Sequence, residues 1–198
     1  MGVTPTVLAL PHLRLDDEVI GWVVDDRREP WVGLAHAVTV LGNTLTLTVI
    51  CLIVVAALLI RRKVGMAVLL GAGALLGSAA MVTLKHIFGR TRPPVTDRLL
   101  TIESYSFPSG HAMMSMVVYC LLAVVAFGVS GWVRDHRWVL LAAPLLSIAI
   151  GLTRIYLAVH WPTDVLAGWA FGAMWVVLCV WIFGLFERWT HRTEVGST

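Results

Sequence analysis

From Trp31 to Phe186 the chain is a succession of long apolar runs separated by short charged breaks. About 20 apolar residues match the roughly 30 Å hydrocarbon core of a bilayer, where a helix satisfies its own backbone polar groups and an open chain does not. The pattern therefore predicts an all-α fold, a polytopic membrane helix bundle. Five spans can be placed: residues 41–60 with an interfacial or tilted lead-in from Trp31, then 64–84, 112–130, 138–158 and 165–186. Composition agrees, with 58% of the 198 residues hydrophobic and 14% charged, far outside the usual globular balance.

Residues 1–30 are mixed. Their apolar island, residues 19–24, is too short to cross a membrane and reads as part of a surface helix. The chain thus divides into an N-terminal interfacial or exoplasmic segment (1–30), a membrane-embedded domain (31–190) and a cytoplasmic tail (191–198). Residues 1–10 lack the basic start and long apolar core of a cleaved signal. Cys51, Cys120 and Cys179 all fall inside apolar runs and read as packing residues, not a disulfide framework.

Cytoplasmic loops are enriched in Lys and Arg. Arg61-Arg62-Lys63, Arg134 with Arg137, and Arg188 with Arg192 fall on one side of a five-span alternation, which is therefore expected to be cytoplasmic. The 85–111 segment and the region of His160 then lie on the exoplasmic side. The basic residues of 85–111 break the charge rule, and a functional need for cations there explains the violation. A net charge of +3, with no basic stripe interleaved with aromatics, gives no nucleic-acid footprint.

Three polar clusters carry the chemistry. Lys85 ends a span and Arg92 follows seven residues on, just before Pro93-Pro94, so the helix stops at or before Thr91. Alone, Lys85 could simply snorkel at a helix end. Pro108-Ser109-Gly110-His111 introduces the next span, with Ser109 suited to an N-cap and Gly110 allowing close approach. The first N–H groups of such a helix can bind phosphate oxygens, although an ordinary capped span would look the same. Arg154 sits in an apolar segment at a cost of about 2.5–3.5 kcal/mol unless it meets water or an anion. His160 and Asp164 lie one helical turn apart around Pro162, so the carboxylate can orient the imidazole, or the two can form a structural interfacial pair. Together the clusters read as one phosphate-handling site at a membrane surface. Trp22, Trp31, Trp132, Trp138, Trp161 and Trp189 read as interfacial anchors. His12, His36, His136 and His191 lack motif partners, while His86 beside Lys85 could line the site.

Lys85-x6-Arg92-Pro93, Pro108-Ser109-Gly110-His111 and Thr153-Arg154-x5-His160-x3-Asp164 together resemble the three-part signature of the type 2 phosphatidic acid phosphatase superfamily, over residues 31–186. That superfamily includes lipid phosphate phosphatases, bacterial phosphatidylglycerophosphate and undecaprenyl diphosphate phosphatases, and soluble vanadium haloperoxidases. The resemblance implies a lipid phosphate or diphosphate phosphatase in which His160 attacks phosphorus and Asp164 holds its imidazole. His111 would protonate the leaving group, and Lys85, Arg92, Ser109, Gly110 and Arg154 would bind the phosphoryl oxygens. It implies neither metal nor cofactor, and as partners only the bilayer and a lipid phosphate of the plasma (inner) membrane, met on the exoplasmic face. Oligomeric state is not legible. Membrane members usually have six spans where five are read here, and serine is usual where Thr153 stands. Two histidines in opposite protonation states predict a bell-shaped pH dependence. Two other classes would reuse the same cations: a non-catalytic head-group binder or transporter, and a vanadate-dependent haloperoxidase relative.

Overall fold

The computed structural model describes residues 11–100 and 102–195, with side chains to residue 186 and at Arg188. The expectations for residues 1–10, for the side chains of Trp189, His191 and Arg192, and for the end of the tail lie outside this range. Among the described residues every regular element is helical: α1 (Arg14–Asp25), α2 (Trp31–Val40), α3 (Thr44–Ile60), α4 (Val64–Phe88), α5 (Gly110–Val129), α6 (Gly131–Asp135), a 3-10 helix (Arg137–Leu141), α7 (Ala142–Tyr156) and α8 (Pro162–Val195). Among the described residues four helical stretches are long and apolar enough to cross a membrane: α4, α5, residues 137–156 and the first 25 residues of α8. A fifth crossing results if α2 and α3 are one span bent by 41°. Asn43 caps α3 at that bend by accepting from the Leu45 N–H at 3.0 Å, which gives the predicted lead-in its physical form.

α5 is the axis of the bundle, packed by α4, α7, α8 and, more lightly, α3. It buries Ala112, Met113, Met116, Val117, Val118, Leu121 and Val125, so its N-terminal end is fixed from several sides at once. α5 and α8 approach closely at Gly168, where an added Cβ would stand 2.9 Å from the Ser109 carbonyl oxygen and 3.0 Å from the Ala112 Cβ, and at Gly172, where it would stand 2.8 Å from the Met113 carbonyl oxygen. α4 ends in a left-handed Gly89 (φ 53°), a conformation natural to glycine at a helix C-terminus.

The N-terminal helix α1 lies against α7 and α8 and tucks Ile20 beside Ala158 and Trp161. Arg27 ties the segment down further, donating to the carbonyls of Tyr156 (3.0 Å) and Asp97 (2.6 Å). Of the tryptophans read as anchors, Trp22, Trp31, Trp132 and Trp138 are exposed. Trp161 is not; it is buried, stacks on His12 and donates from its indole N–H to the Thr91 carbonyl at 2.9 Å.

Candidate active site

At one pole of the bundle, the end of α4, the start of α5, the end of α7 and the start of α8 converge. The described residues of the 89–109 segment are folded across them. Lys85, Arg92, Gly110, His111, Arg154 and His160 line a single cavity of about 560 Å³. Residues from four separate stretches of sequence thus meet in one space. His86 does not line it, and packs edge-on against Tyr105 instead.

Arg92 is the most thoroughly bonded of the three lining cations. A guanidinium has five N–H donors, and here each has a partner. Nε donates to Ser104 O (2.7 Å), and Nη1 to Val159 O (2.6 Å) and His160 Nε2 (3.0 Å). Nη2 donates to Ser104 Oγ (3.1 Å) and Tyr105 O (3.2 Å). Burial pushes its pKa down to about 10; Asp164 opposes the shift and Arg98 adds to it. It remains a cation at neutral pH. Lys85 Nζ donates to Tyr105 O at 2.6 Å. Arg154, almost wholly buried, donates from Nη1 to Thr39 Oγ1 at 2.7 Å, while its Nε is buried without a partner among the described residues.

Because Arg92 can only donate, His160 Nε2 must accept, so the ring proton sits on Nδ1. Nδ1 lies 3.4 Å from both Asp164 Oδ2 and Ser106 Oγ. Burial, and then the cations Arg92, Lys85 and Arg154, hold the His160 pKa well below its ordinary value. The result is a neutral imidazole whose Nε2 lone pair accepts from Arg92, on a residue that lines the cavity. Asp164 is fixed independently of the histidine, since its Oδ2 accepts from Ser106 Oγ and from the Trp161 N–H (3.0 Å), and its Oδ1 accepts from Arg90 Nη1 (2.5 Å).

Ser109 and Asp164 stand behind the cavity wall. Ser109 does occupy the N-cap position of α5, but its hydroxyl makes no capping bond and is buried without a partner among the described residues. Its N–H donates to the Asp164 carbonyl (3.0 Å) instead. The first intrahelical bond of α5 runs from Met113 N to Ser109 O, so the N–H groups of Gly110, His111 and Ala112 have no intrahelical acceptor. Thr153 keeps its hydroxyl inside its own helix, donating to Ile150 O at 2.6 Å.

The sequence reading gave no site role to Arg90, Ser104, Ser106, Thr39 or Asp16. Ser104 and Ser106 lie in the stretch leading to Pro108, and the buried aspartate Asp164 called for a donor. Thr39 and Asp16 gave no local signal, being a threonine in an apolar run and one acid of Asp16-Asp17-Glu18.

From this pole the cavity continues as an apolar cleft between α3 and α4. Leu47, Cys51 and Val55 form one wall and Gly71, Ala74 and Ser78 the other, with the exposed Leu52 and Leu75 at its rim. Among the described residues no group of three or more His, Cys, Asp or Glu side chains is placed to hold a metal ion.

The PAP2 superfamily model matches residues 63–188, more than half of the chain, and the match includes Lys85, Arg92, Gly110, His111, Arg154 and His160. The chain belongs to the PAP2 superfamily. Among PAP2 proteins it is 32% identical to phosphatidylglycerophosphatase B of Bacillus subtilis over 164 residues, 80% of this chain and 78% of the relative. It is also 32% identical to an undecaprenyl-diphosphatase of Sulfolobus acidocaldarius over 72 residues, 36% of this chain and 30% of that protein. In three dimensions it is similar to the crystal structure of a transmembrane PAP2-type phosphatidylglycerolphosphate phosphatase from Bacillus subtilis. The TM-score is 0.75 at 27% identity, covering 88% of this chain and 85% of the other. Membership in this family and the apolar helices together make the chain an integral membrane phosphatase of the lipid phosphate class.

Proposed function

We propose that the chain hydrolyses a lipid phosphate or diphosphate monoester through a phosphohistidine, without a metal, at the exoplasmic face of the plasma (inner) membrane. The observation that carries this reading is the His160 imidazole. It is neutral, with its Nε2 lone pair directed at Arg92 in a cavity it shares with Lys85, Arg154 and His111. Phosphoryl transfer depends on positioning and on neutralising the oxygen charge, and the three cations meet that demand.

In the first half-reaction Nε2 forms a bond to phosphorus as the bond to the leaving oxygen breaks, and His111 gives that oxygen a proton. The Arg92 Nη1–H that held Nε2 is then free to turn to a phosphoryl oxygen. Asp164, anchored on its far side, stabilises the charge gained by the imidazole. In the second half-reaction water attacks phosphorus, His111 takes its proton, the P–N bond breaks and His160 is neutral again. Orthophosphate leaves.

The lipid chain has a place in the cleft between α3 and α4, which joins the cation site to the bilayer-facing side of the bundle. The exoplasmic placement is supported by Arg61, Arg62 and Lys63, which sit at the other end of α4 from Lys85, where cytoplasmic basic residues belong. The relative of wide coverage is named for phosphatidylglycerophosphate, which puts that lipid first in a panel with phosphatidic acid and undecaprenyl diphosphate.

The test is phosphate release by the purified protein in detergent with EDTA present and vanadate as competitor. Release from at least one lipid, inhibited by vanadate and abolished together with the acid-labile phosphoenzyme in His160→Ala, is the expected result. Lipid binding without release would make the protein a head-group binder. Substantial turnover in His160→Ala would overturn the nucleophile.

A further inference from the structure

Arg90 lines no part of the cavity, yet it bridges two buried carboxylates behind it. Its Nη1 donates to Asp164 Oδ1 (2.5 Å) and Thr163 Oγ1 (2.7 Å), and its Nη2 to Asp16 Oδ2 (2.7 Å) and the Pro11 carbonyl (3.2 Å). Arg90, Asp16 and Asp164 are all buried, the two carboxylates completely. Asp16 is secured in turn by the N–H groups of Leu13 and Thr163, each at 3.0 Å, and by the Thr163 hydroxyl. Burial would push the Asp16 pKa up, but these bonds and Arg90 outweigh it and hold the pKa below the ordinary carboxylate value.

We propose that Asp16, delivered by α1, is a positioning residue for the reaction: by holding one arm of Arg90 it keeps Asp164 aimed at His160. The proposal rests on the phosphohistidine reading. Left with one carboxylate, a guanidinium closes on both of its oxygens in a bidentate pair. Such a pair would claim Asp164 Oδ2, the oxygen that now serves Ser106, Trp161 and His160. Asp16 prevents this by occupying Nη2, so Arg90 contacts each carboxylate through one arm only.

A second consequence is electrostatic. The charged or titratable groups that face His160 are Arg92, Lys85, Arg154, His111 and Asp164, and Asp164 is the one anion among them. A cation divided between two carboxylates neutralises Asp164 less than a cation devoted to it. The negative charge that supports the phosphoimidazole is thereby preserved. α1 is in this sense part of the catalytic unit, although it lies outside the matched family region.

The test uses the full chain in detergent with phosphatidylglycerophosphate micelles, comparing Asp16→Asn, Arg90→Lys, the double variant and His160→Ala. Asp16→Asn keeps shape and loses charge, and its kcat is expected to fall roughly 10- to 100-fold with KM within about twofold, as for other partners that orient a reacting group. Lysine cannot span both carboxylates, so Arg90→Lys should lose kcat similarly and adding Asp16→Asn to it should change little. A lowered thermal midpoint with wild-type kcat per folded enzyme in Asp16→Asn would reduce Asp16 to a staple for α1 and overturn the proposal. So would losses that multiply in the double variant. If Asp16→Asn does not survive extraction, Arg90→Lys decides alone, and a kcat within about twofold of wild type overturns the proposal. Turnover in His160→Ala would instead sink the phosphohistidine reading, which separates the two failures.

Discussion

Arg92→Lys keeps a cation at the centre of the site and removes its shape. The five N–H groups of Arg92 reach Ser104, Tyr105, Val159 and His160 in several directions. An ammonium offers three donors from one point and cannot serve them all. Ser104 and Tyr105 are exposed, so their freed oxygens can turn to water. Val159 is fully buried, and leaving its carbonyl without a donor costs on the order of 1–3 kcal/mol of stability. The catalytic loss is the larger one. Removing an oriented donor from developing oxyanion charge lowers kcat by about 10²–10³, or roughly 2.7–4 kcal/mol, and here the same N–H also orients the Nε2 lone pair. The assay is phosphate release from phosphatidylglycerophosphate micelles at saturating lipid, paired with thermal unfolding in the same detergent. A kcat within about tenfold of wild type, in folded protein, would show that charge alone suffices and refute the geometric reading.

Two further outcomes follow from the packing and the buried charges. In Gly168→Ala the new Cβ meets the Ser109 carbonyl and Ala112 at about 3 Å, so α8 must move off α5. The expected cost is about 1–3 kcal/mol in unfolding, with kcat falling as well because Asp164 and His111 stand on the two helices; unchanged stability would contradict the contact. As for pH, His160 is held neutral by a lowered folded pKa, so the unfolded chain binds more protons below about pH 6.5 and stability falls as the medium is acidified. Asp16, also lowered, adds a loss of the same sign at lower pH as it protonates. The thermal midpoint should therefore decline from about pH 6.5 downwards, and a midpoint that rises on acidification would refute the assignment.

The bundle was legible because apolar runs of membrane length leave the backbone few alternatives. The lining residues were legible for a related reason. Lys85, His111 and Arg154 stand at helix ends, and helix ends in an up-and-down bundle meet at its poles. What the sequence concealed depends on tertiary neighbours. Thr39 becomes an acceptor only because α2 lies beside α7. Asp16 looks like its solvated neighbour Asp17 until α1 docks and turns it towards Arg90. Trp161 carries the marks of an interfacial anchor, yet the segment before α1 covers it with His12. The Ser109 hydroxyl fits the cap position by type, yet it makes no capping bond, and the Ser109 N–H is tied to the Asp164 carbonyl instead.

On the proposed function, the cleft between α3 and α4, with Leu52 and Leu75 at its rim, sets the kind of concentration to which such an enzyme responds. A substrate that enters sideways comes from a two-dimensional pool, so the rate should follow its mole fraction in the surface and fall when inert lipid or detergent is added at constant bulk molarity. The two products also part company by phase. The dephosphorylated lipid returns to the hydrocarbon while orthophosphate departs into water, so the reverse encounter needs both to return to one small pocket from different media.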